Sequence, residues 1–317
     1  MPDTGTGTHP DEPGMTPALA ATGVFLEHRE LLFSVAYNML GSVADTEDVL
    51  QETWLAWAAR SAAATAQPIA SPRAYLVRVA VNAALARQQA ISRRREEYVG
   101  PWLPEPLLTG DGDSDGAEAA MRVQSISLAL MVVLETLTPL ERAVFILHEV
   151  FGYEHAEIAG MLSRSPAAIR QLAHRAREHV HAHRPRYPAD PRLHQRVTEE
   201  FVTAVTGGNV SALMRVLAPD VTLRTDGGGK ARATRRPVHG RDKVARLILG
   251  GAFRWPIADL DIHYRQINGD PAAVLLSGGA PRLLLVLDLV PGGDQARGVY
   301  AITNPDKLSR FAAGGAR

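Results

Sequence analysis

The sequence predicts a multidomain fold in which two all-α domains, the second with a helix-turn-helix, are followed by an α+β domain. Up to about residue 183, apolar residues recur at the spacing of amphipathic helices. From about residue 192 onwards, short apolar runs alternate with Gly, Pro and Asp turns, which is typical of strands. A length of 317 residues fits two or three domains. We therefore expect helical domains at 20–97 and 118–184, a linker at 98–117, and an α+β domain at 193–313.

The composition excludes several functional classes. The chain has no cysteine, so disulfides, Cys-ligated zinc and thiol catalysis are ruled out. Hydrophobic residues make up 46%, which is too many for a disordered chain. No uncharged apolar run reaches the roughly 18 residues of a membrane span, and the N-terminal residues lack the basic and apolar regions of a secretory signal. These features predict a soluble, cytoplasmic protein.

The formal net charge of zero conceals alternating blocks. Residues 1–52 carry nine acids against one arginine, and residues 96–121 carry seven acids and no base. Residues 73–95 carry six arginines and no acid, and residues 163–196 carry eight arginines against two acids. Basic blocks indicate contact with a polyanion, and acidic blocks indicate a basic protein partner, unless each is simply a solvated helix face.

The first domain contains clear helix boundaries. Gly41 can end the first helix, and Asp45 is expected to cap the second. Ser71 followed by Pro72 is a typical start of a third helix, which runs to about Arg95.

Two faces in this domain suggest chemistry. The second helix has an inner stripe that includes Trp54, and its outer face carries acids and an amide: Asp45, Asp48, Gln51 and Glu52. Such acids most often form a solvated or docking surface, although paired carboxylates can also catalyse or bind metal. The third helix carries an aromatic, an amide and basic residues: Tyr75, Asn82, Arg87, Arg93, Arg94 and Arg95. Stacking surfaces beside basic groups suit single-stranded or melted DNA.

The second helical domain contains a helix-turn-helix. Thr138 and Glu141 form a capping box, and Ser163–Ser165 separates two short amphipathic helices. The second of these would enter the major groove of DNA. Its outward residues are Arg164, Ser165, Arg170, Gln171, His174, Arg175 and Arg177. Arg and Gln suit bidentate base contacts, whereas Arg175 and Arg177 are expected to contact phosphates.

The α+β region contains one unusual loop, and the linker contains another unusual segment. Residues 226–230 are a Gly-rich turn, which we expect to present Asp226 and Lys230 to another domain. Its spacing is not that of a Walker phosphate loop. Residues 101–106 place Trp102 between prolines, and a rigid segment that docks its Trp on a surface is the interpretation we favour.

These motifs, in this order, resemble those of the extracytoplasmic-function (ECF) sigma factors of bacterial RNA polymerase. Residues 45–57 resemble the segment that docks on the polymerase β′ clamp, residues 73–95 the helix that melts and reads the −10 element, and residues 138–180 the helix-turn-helix that reads the −35 element. The resemblance implies two sigma domains whose partners are core RNA polymerase, through its β′ clamp and β flap, and promoter DNA. The site residues that this resemblance implies are those named above on the second helix, on the third helix and on the second helix of the helix-turn-helix.

A subgroup of this family carries further signatures. Three segments are similar to it: Trp102–Pro106, Asp226–Lys230 and Asn304–Leu308. The subgroup implies a fused C-terminal SnoaL-like domain, of the nuclear-transport-factor-2 cone fold, which regulates the sigma domains in cis without a separate anti-sigma factor. The interdomain residues implied are Trp102, Pro104, Glu105, Asp226, Gly227, Gly228, Gly229, Lys230, Asn304, Asp306 and Lys307.

Two alternatives stay open. The first is a SnoaL-like ligand sensor or enzyme fused to a DNA-binding module, and the second is a repressor that needs no polymerase. An enzyme would need an acid or base facing its pocket, and the available groups are Asp220, Asp226, His239, Asp261 and His263. We expect no enzymatic activity, no cofactor and no metal, while a small ligand in the C-terminal domain is possible.

Overall fold

Three helices form the N-terminal domain of the computed structural model, which describes residues 17–63, 69–109, 126–183, 190–252 and 260–311. They are α1 (Pro17–Leu40), α2 (Val43–Ala62) and α3 (Pro72–Glu96). Gly41 follows α1 with a φ of +68°, and Ser71 caps α3 as expected. The expectation that Asp45 caps α2 is wrong, because Ser42 is the capping residue. The Ser42 hydroxyl accepts the Asp45 N–H at 3.3 Å, and Asp45 lies inside the first turn.

The second helical domain contains the predicted helix-turn-helix. Its helices are α4 (Leu128–Leu134), α5 (Pro139–Phe145) with a π-helical turn (Ile146–Val150), α6 (His155–Leu162) and α7 (Pro166–His183). Thr138 and Glu141 form the expected capping box at α5. Ser163 ends α6 in the left-handed conformation, with a φ of +51°. The helical stretch expected at 118–125, and the linker beyond Thr109, lie outside the described residues.

The two helical domains share one apolar core. Leu76 and Ala80 of α3 belong to the same buried cluster as Phe145 of α5 and Ile158 of α6. Because side chains from both domains fill this cluster, the domains are packed as a single unit.

No helix of the described ranges has both the length and the apolar composition needed to cross a membrane. The longest, α3, has 25 residues but carries six arginines.

The C-terminal region has the predicted α+β fold. It contains α8 (Pro191–Thr206), α9 (Val210–Val216), β1 (Leu217–Asp226), β2 (Val238–His239), α10 (Arg241–Leu247) with a π-helical turn (Ile248–Ala252), β3 (Leu260–Ile267), β4 (Asp270–Ser277), β5 (Ala280–Leu289), β6 (Ala296–Ile302) and α11 (Pro305–Leu308). The described strands form one sheet in the order β2-β1-β6-β5-β4-β3, with β1 and β6 parallel and the other pairs antiparallel. The two-residue strand β2 was not expected from the sequence.

The sheet is apolar on both faces. Leu275, Leu285 and Val299 face α8, α9 and α10 in the core of the domain itself. Their neighbours along the strands, such as Val274 and Leu284, pack instead against residues of the linker and α4. Since successive strand residues point to opposite faces, one sheet supports two separate cores.

The described end of the linker pairs with the edge of this sheet. Leu108 forms an antiparallel bridge with Ile267 of β3, and the Thr109 N–H donates to the Gln266 carbonyl at 2.7 Å. The Thr109 hydroxyl accepts the Gly269 N–H, also at 2.7 Å. The linker therefore covers part of an edge strand that would otherwise expose unpaired backbone groups.

Replacing Gly41 by Ala should destabilise the protein. A left-handed conformation costs a non-glycine residue about 1–2 kcal/mol, and the new Cβ would lie 2.8 Å from the Trp102 ring. Gly23→Ala is the control, because Gly23 is exposed within α1 with no atom within 4 Å of such a Cβ. That control should stabilise α1 by about 0.5–1 kcal/mol. Thermal unfolding measures both effects, and equal shifts of the two midpoints would contradict the role of Gly41.

Candidate functional site

The acidic face of α2 is occupied by Arg87 of α3. The Arg87 guanidinium pairs with Asp48, with Glu52 at 2.8 Å and with Asp45 at 3.3 Å. The expectation of an outward-facing acid is wrong for Asp45, which is buried and also accepts from Arg94 at 2.7 Å. Burial alone would raise the pKa of Asp45, but hydrogen bonds from Arg94 and Ser42 outweigh burial and lower it.

The remaining residues of the first two motifs surround these ion pairs. Gln51 is exposed on α2, while Trp54 is half-buried with its ring centroid 5.4 Å from that of Phe25. On α3 the centroid of the Tyr75 ring lies 5.8 Å from that of the Trp57 ring, so Tyr75 is part of the packing within the domain.

The exposed polar residues of α3 differ in the contacts they make. The Asn82 amide donates to the Met161 carbonyl of α6 at 3.2 Å, so it faces the second helical domain. Arg93 and Arg94 are exposed, although Arg94 pairs with Asp45. In this arrangement the helix-turn-helix therefore contacts part of the surface predicted to bind DNA, while Asn82 itself stays exposed.

The outer face of α7 is largely open. Arg164, Arg170 and Gln171 are exposed, and the Ser165 hydroxyl caps α7 by accepting the Ala168 N–H at 3.2 Å. The residues further along are paired: His174 with Glu178, Arg175 with Glu141, and Arg177 with Glu149, at 3.3, 3.0 and 2.8 Å. The side chains suited to base contacts thus face solvent at the N-terminal half of the recognition helix.

Arg95 at the end of α3 is half-buried in a junction between domains. Its guanidinium lies 3.5 Å from the centroid of the Trp102 ring, donates to the Leu40 carbonyl at 2.8 Å, and pairs with Glu135. Glu135 also pairs with Arg142, at 2.5 Å. Burial, together with the charge of Arg142, lowers the pKa of Arg95 to about 9, which leaves it charged near neutral pH. The expected DNA contact by Arg95 is not available in this arrangement.

A buried carboxylate joins the C-terminal domain to the linker. Asp226, at the end of β1, is 0% exposed. It accepts from the Tyr98 hydroxyl at 2.6 Å, from the Leu103 N–H at 2.8 Å and from the Lys307 ammonium at 2.7 Å. Burial lowers the pKa of Lys307, although Asp226 opposes that shift.

The three subgroup signatures meet at this carboxylate. Lys307 also donates to the Leu103 carbonyl and lies 4.3 Å from the Trp102 ring centroid. The Asn304 amide donates to the Tyr98 hydroxyl at 2.8 Å, and it fills the space where a Cβ on Gly228 would lie. Gly228 and Gly229 have φ of +59° and +71°, which non-glycine residues rarely adopt.

Lys230 and Asp306 behave differently from the other residues of these signatures. They pair with each other at 2.6 Å on the exposed surface of the C-terminal domain. The expectation that Lys230 faces another domain is therefore wrong, because Lys230 bonds within its own domain. Of the two charged residues in this loop, only Asp226 bonds to the linker. Gly227 begins this turn by accepting the Lys230 N–H at 2.9 Å.

Glu105 and Pro104 fix the linker on the first helical domain. The Glu105 carboxylate accepts the Val43 N–H at 2.8 Å, and the Glu105 N–H donates to the Gly41 carbonyl at 2.9 Å. The Glu105 carbonyl accepts the Tyr37 hydroxyl, and Pro104 is buried beside them.

Asn268 belongs to this junction, although no sequence motif indicated it. It lies at the tip of the β3–β4 hairpin with a φ of +52° and is 1% exposed. Its amide donates to the Tyr37 hydroxyl at 3.0 Å and lies 3.8 Å from the Met131 sulfur, while its carbonyl oxygen accepts the Leu107 N–H at 3.0 Å. The Asn268-Gly269 pair is a recognisable hairpin signal, but nothing local indicates that this tip contacts both helical domains and the linker.

A pocket opens on the opposite face of the sheet. It lies between α8, the π-helical turn Ile248–Ala252 and the sheet, and side chains such as Phe201, Leu223, Leu283 and Val299 line it. Thr206 supplies the one polar side chain of this lining. The five candidate acids and bases lie elsewhere: Asp220, Asp226, His239, Asp261 and His263. The enzyme alternative therefore gains no support from this pocket.

Comparisons with known proteins agree with this layout. Family models match the chain as Sigma-70 region 2 at residues 24–95, Sigma-70 region 4 at 127–180 and a SnoaL-like domain at 198–299. The ECF RNA polymerase sigma factor SigJ of Mycobacterium tuberculosis is 42% identical over 228 residues, which are 72% of each chain.

This chain belongs to the ECF RNA polymerase sigma factors. A probable ECF sigma factor of Mycobacterium tuberculosis, SigI, is 29% identical over 90% of this sigma factor and 94% of its own length. The crystal structure of SigJ superposes with a TM-score of 0.72 at 34% identity, covering 91% of this chain and 98% of that one. The predicted resemblance is thereby confirmed, and so is the fold: helical sigma domains followed by a SnoaL-like domain. We refer to α1–α3 as the region 2 domain and to α4–α7 as the region 4 domain.

Asp226→Asn should loosen the C-terminal domain of this sigma factor from its linker. The change leaves the buried Lys307 ammonium without its counter-ion, and breaking a buried pair typically costs about 3–5 kcal/mol. Asp306→Asn is the matched control, because its pair with Lys230 is exposed and such pairs contribute at most about 1 kcal/mol. Hydrogen exchange across residues 98–107 measures the loosening. Equal protection in the two variants would show that the buried carboxylate does not hold this junction.

Proposed function

We propose that this sigma factor binds core RNA polymerase through the acidic face of α2, and that it reads promoter DNA with α3 and α7. We further propose that its C-terminal domain regulates it in cis by holding the region 2 and region 4 domains together. We call this arrangement, with α3 in contact with α6, the closed state. Its main support is the hydrogen bond from Asn82 to the Met161 carbonyl, which joins the two proposed DNA-reading domains.

The dimensions of a promoter require the closed state to open. Elements at −10 and −35 lie about 85 Å apart on a straight duplex, at roughly 3.4 Å per base pair. Helix α3 has 25 residues and is about 37 Å long at 1.5 Å per residue. While the region 2 and region 4 domains pack directly against each other, α3 cannot lie on the −10 element at the same time as α7 lies on the −35 element. Promoter recognition therefore needs the region 4 domain to leave the region 2 domain.

The C-terminal domain is placed to oppose that separation. Asn268 bonds to Tyr37 of region 2 and contacts Met131 of region 4. The neighbouring sheet face packs on Leu128 and Ala129 of region 4 and on Leu103 of the linker. Because the C-terminal domain contacts both the region 2 and the region 4 domain, the free energy of these contacts stabilises the closed state. On this proposal no separate anti-sigma factor is needed.

Asn268→Gly should favour the open state. Glycine accepts the positive φ at this turn, while the two side-chain hydrogen bonds, worth about 1 kcal/mol each, are lost. We expect the closed-to-open ratio to fall on the order of tenfold, since each 1.4 kcal/mol corresponds to a factor of ten. Energy transfer between fluorophores on α3 and α7 measures the separation, and run-off transcription with core polymerase measures the output.

A second substitution in the same domain controls for a general effect. Asn209 is exposed, and its side chain caps α9, so Asn209→Gly should cost only a few tenths of a kcal/mol and leave the α3–α7 separation unchanged. If Asn268→Gly matches the wild type in both the α3–α7 separation and the run-off transcription, the proposal that the C-terminal domain holds the closed state is wrong.

The acidic face of α2 supports the polymerase contact. Asp48 and Glu52 are exposed acids in the segment that resembles the polymerase-docking motif, and Gln51 lies beside them. The proposed partners are the β′ clamp for this face and the β flap for region 4. Because polymerase and promoter DNA are cytoplasmic in bacteria, we place the protein there as well.

Asp48→Lys combined with Glu52→Lys should weaken polymerase binding by at least about tenfold, since like charges then face each other across the interface. Binding of the full chain to promoter duplex should be no weaker. Glu47→Lys is the control, because Glu47 is exposed on the same helix but pairs with Arg29. Fluorescence anisotropy with labelled chain measures both affinities. A repressor that acts without polymerase would show no difference between the variants in transcription from its target promoter.

The apolar pocket supports a second role for the C-terminal domain. Its lining of aliphatic and aromatic side chains suits a neutral, apolar molecule better than a charged one. Leu223 on β1 lines the pocket, and Asp226 follows three residues later on the same strand. We propose that a small ligand bound here would act on the closed state through β1.

A further inference from the structure

The C-terminal domain carries a third basic block, which lies outside the two helices proposed to read DNA. Residues 230–246 contain seven Lys and Arg residues against one acid, Asp242. The block occupies the loop between β1 and β2 and continues into α10. Its net charge of +6 equals that of residues 73–95 and of residues 163–196.

Most of this block faces solvent without an acidic partner. We call the exposed residues the basic loop surface: Arg232, Arg235, Arg236, Lys243 and Arg246. Within the described residues none of these five forms an ion pair, whereas Arg29 and Arg297 pair with Glu47 and Asp288. Clustered cations that repel one another are expected where a polyanion binds.

The loop itself is anchored. The Thr303 hydroxyl donates to the Arg232 carbonyl at 3.0 Å, and the Thr234 N–H donates to the Thr225 hydroxyl at 2.6 Å. The backbone is therefore held in place while the arginine side chains project into water. Such preorganisation reduces the entropy lost when a ligand binds.

The basic loop surface adjoins the basic end of α3. A Cβ built on Gly100 would lie 3.1 Å from the Thr234 carbonyl oxygen and 3.9 Å from the Arg235 Cα. Gly100 follows α3 closely, and Arg93 and Arg94 are exposed on its last turn. The two groups of arginines thus lie on neighbouring segments.

The chemistry of the surface favours nucleic acid over a protein partner. The centres of protein interfaces are enriched in aromatic residues and Met. None of the large exposed hydrophobic residues of the described chain lies within 230–246. Arginine, by contrast, binds phosphate in a bidentate manner, and basic side chains supply most of the affinity for a DNA backbone.

We propose that the basic loop surface binds the phosphate backbone of the promoter duplex next to the segment that α3 contacts. The C-terminal domain then contributes to DNA binding directly, in addition to acting on the closed state. This inference rests on the proposed sigma function. It requires no sequence specificity from the loop, because phosphate contacts position a protein without reading bases.

The test uses the full chain assembled with core polymerase on a duplex promoter fragment. The variant is Arg232→Ala, Arg235→Ala and Arg236→Ala combined. The control removes three other exposed arginines of the same domain, on α8 and α9: Arg192→Ala, Arg196→Ala and Arg215→Ala. The equilibrium constant for DNA binding is measured over a range of salt concentrations.

Each phosphate contact contributes about 0.9 to the slope of log K against log salt. The loop variant should lower the magnitude of that slope by about 2–3, whereas the control should keep the wild-type slope. An unchanged slope in the loop variant overturns the proposal. A loss of affinity for core polymerase with an unchanged slope also overturns it, because the surface would then be a protein contact. Failure of the wild-type chain to initiate at any promoter would instead contradict the sigma function itself.

Discussion

The buried negative charge of Asp226 is the constraint on which the arrangement of the domains depends. An isolated carboxylate at 0% exposure would be strongly unfavourable, so its environment must supply donors. Those donors come from Tyr98 and Leu103 in the linker and from Lys307 in α11. Because these groups are far apart in sequence, satisfying one charge brings the end of α3, the linker and the C-terminal helix into one place.

The β-sheet extends this constraint over a larger area. Its strands alternate between the domain's own core and the helical domains, as Leu275 and Val274 illustrate. The pocket and the surface that contacts the sigma domains are consequently separated by a single layer of backbone. A shift of strand β1 or β6 on one side must be accommodated on the other, since close-packed interiors have few voids to absorb it.

Local features of this fold could be predicted from the sequence, because neighbouring residues determine them. The Thr138–Glu141 capping box, the Ser71–Pro72 helix start and the Ser163 turn are of this kind. Contacts between distant segments could not be predicted in the same way. Arg87 was expected to contact DNA and Asp45 to face outward, yet the two are ion-paired across helices.

In the candidate site, too, the contacts between distant segments could not be predicted from the residues alone. The meeting of Asp226, Lys307 and Trp102 was expected only from resemblance to a subgroup, and that resemblance did not distinguish Asp226 from the exposed Lys230. Asn268 could not be found, because a polar hairpin tip is normally solvated and only the packing of three other segments buries it. The basic block at 230–246 was visible in the sequence, but no helical periodicity or motif drew attention to it.

The pairing of Arg87 with the acids of α2 links two binding events. Asp48 and Glu52 cannot engage a basic polymerase surface fully while they neutralise Arg87, and Arg87 cannot engage a phosphate fully while they hold it. If polymerase binds Asp48 and Glu52, Arg87 keeps only the buried Asp45 among its described partners, and its affinity for DNA increases. Thermodynamic reciprocity then requires DNA to increase the affinity for polymerase by the same factor. The two ion pairs of Arg87 with Asp48 and Glu52 would thus be enough for polymerase and DNA to bind this sigma factor cooperatively.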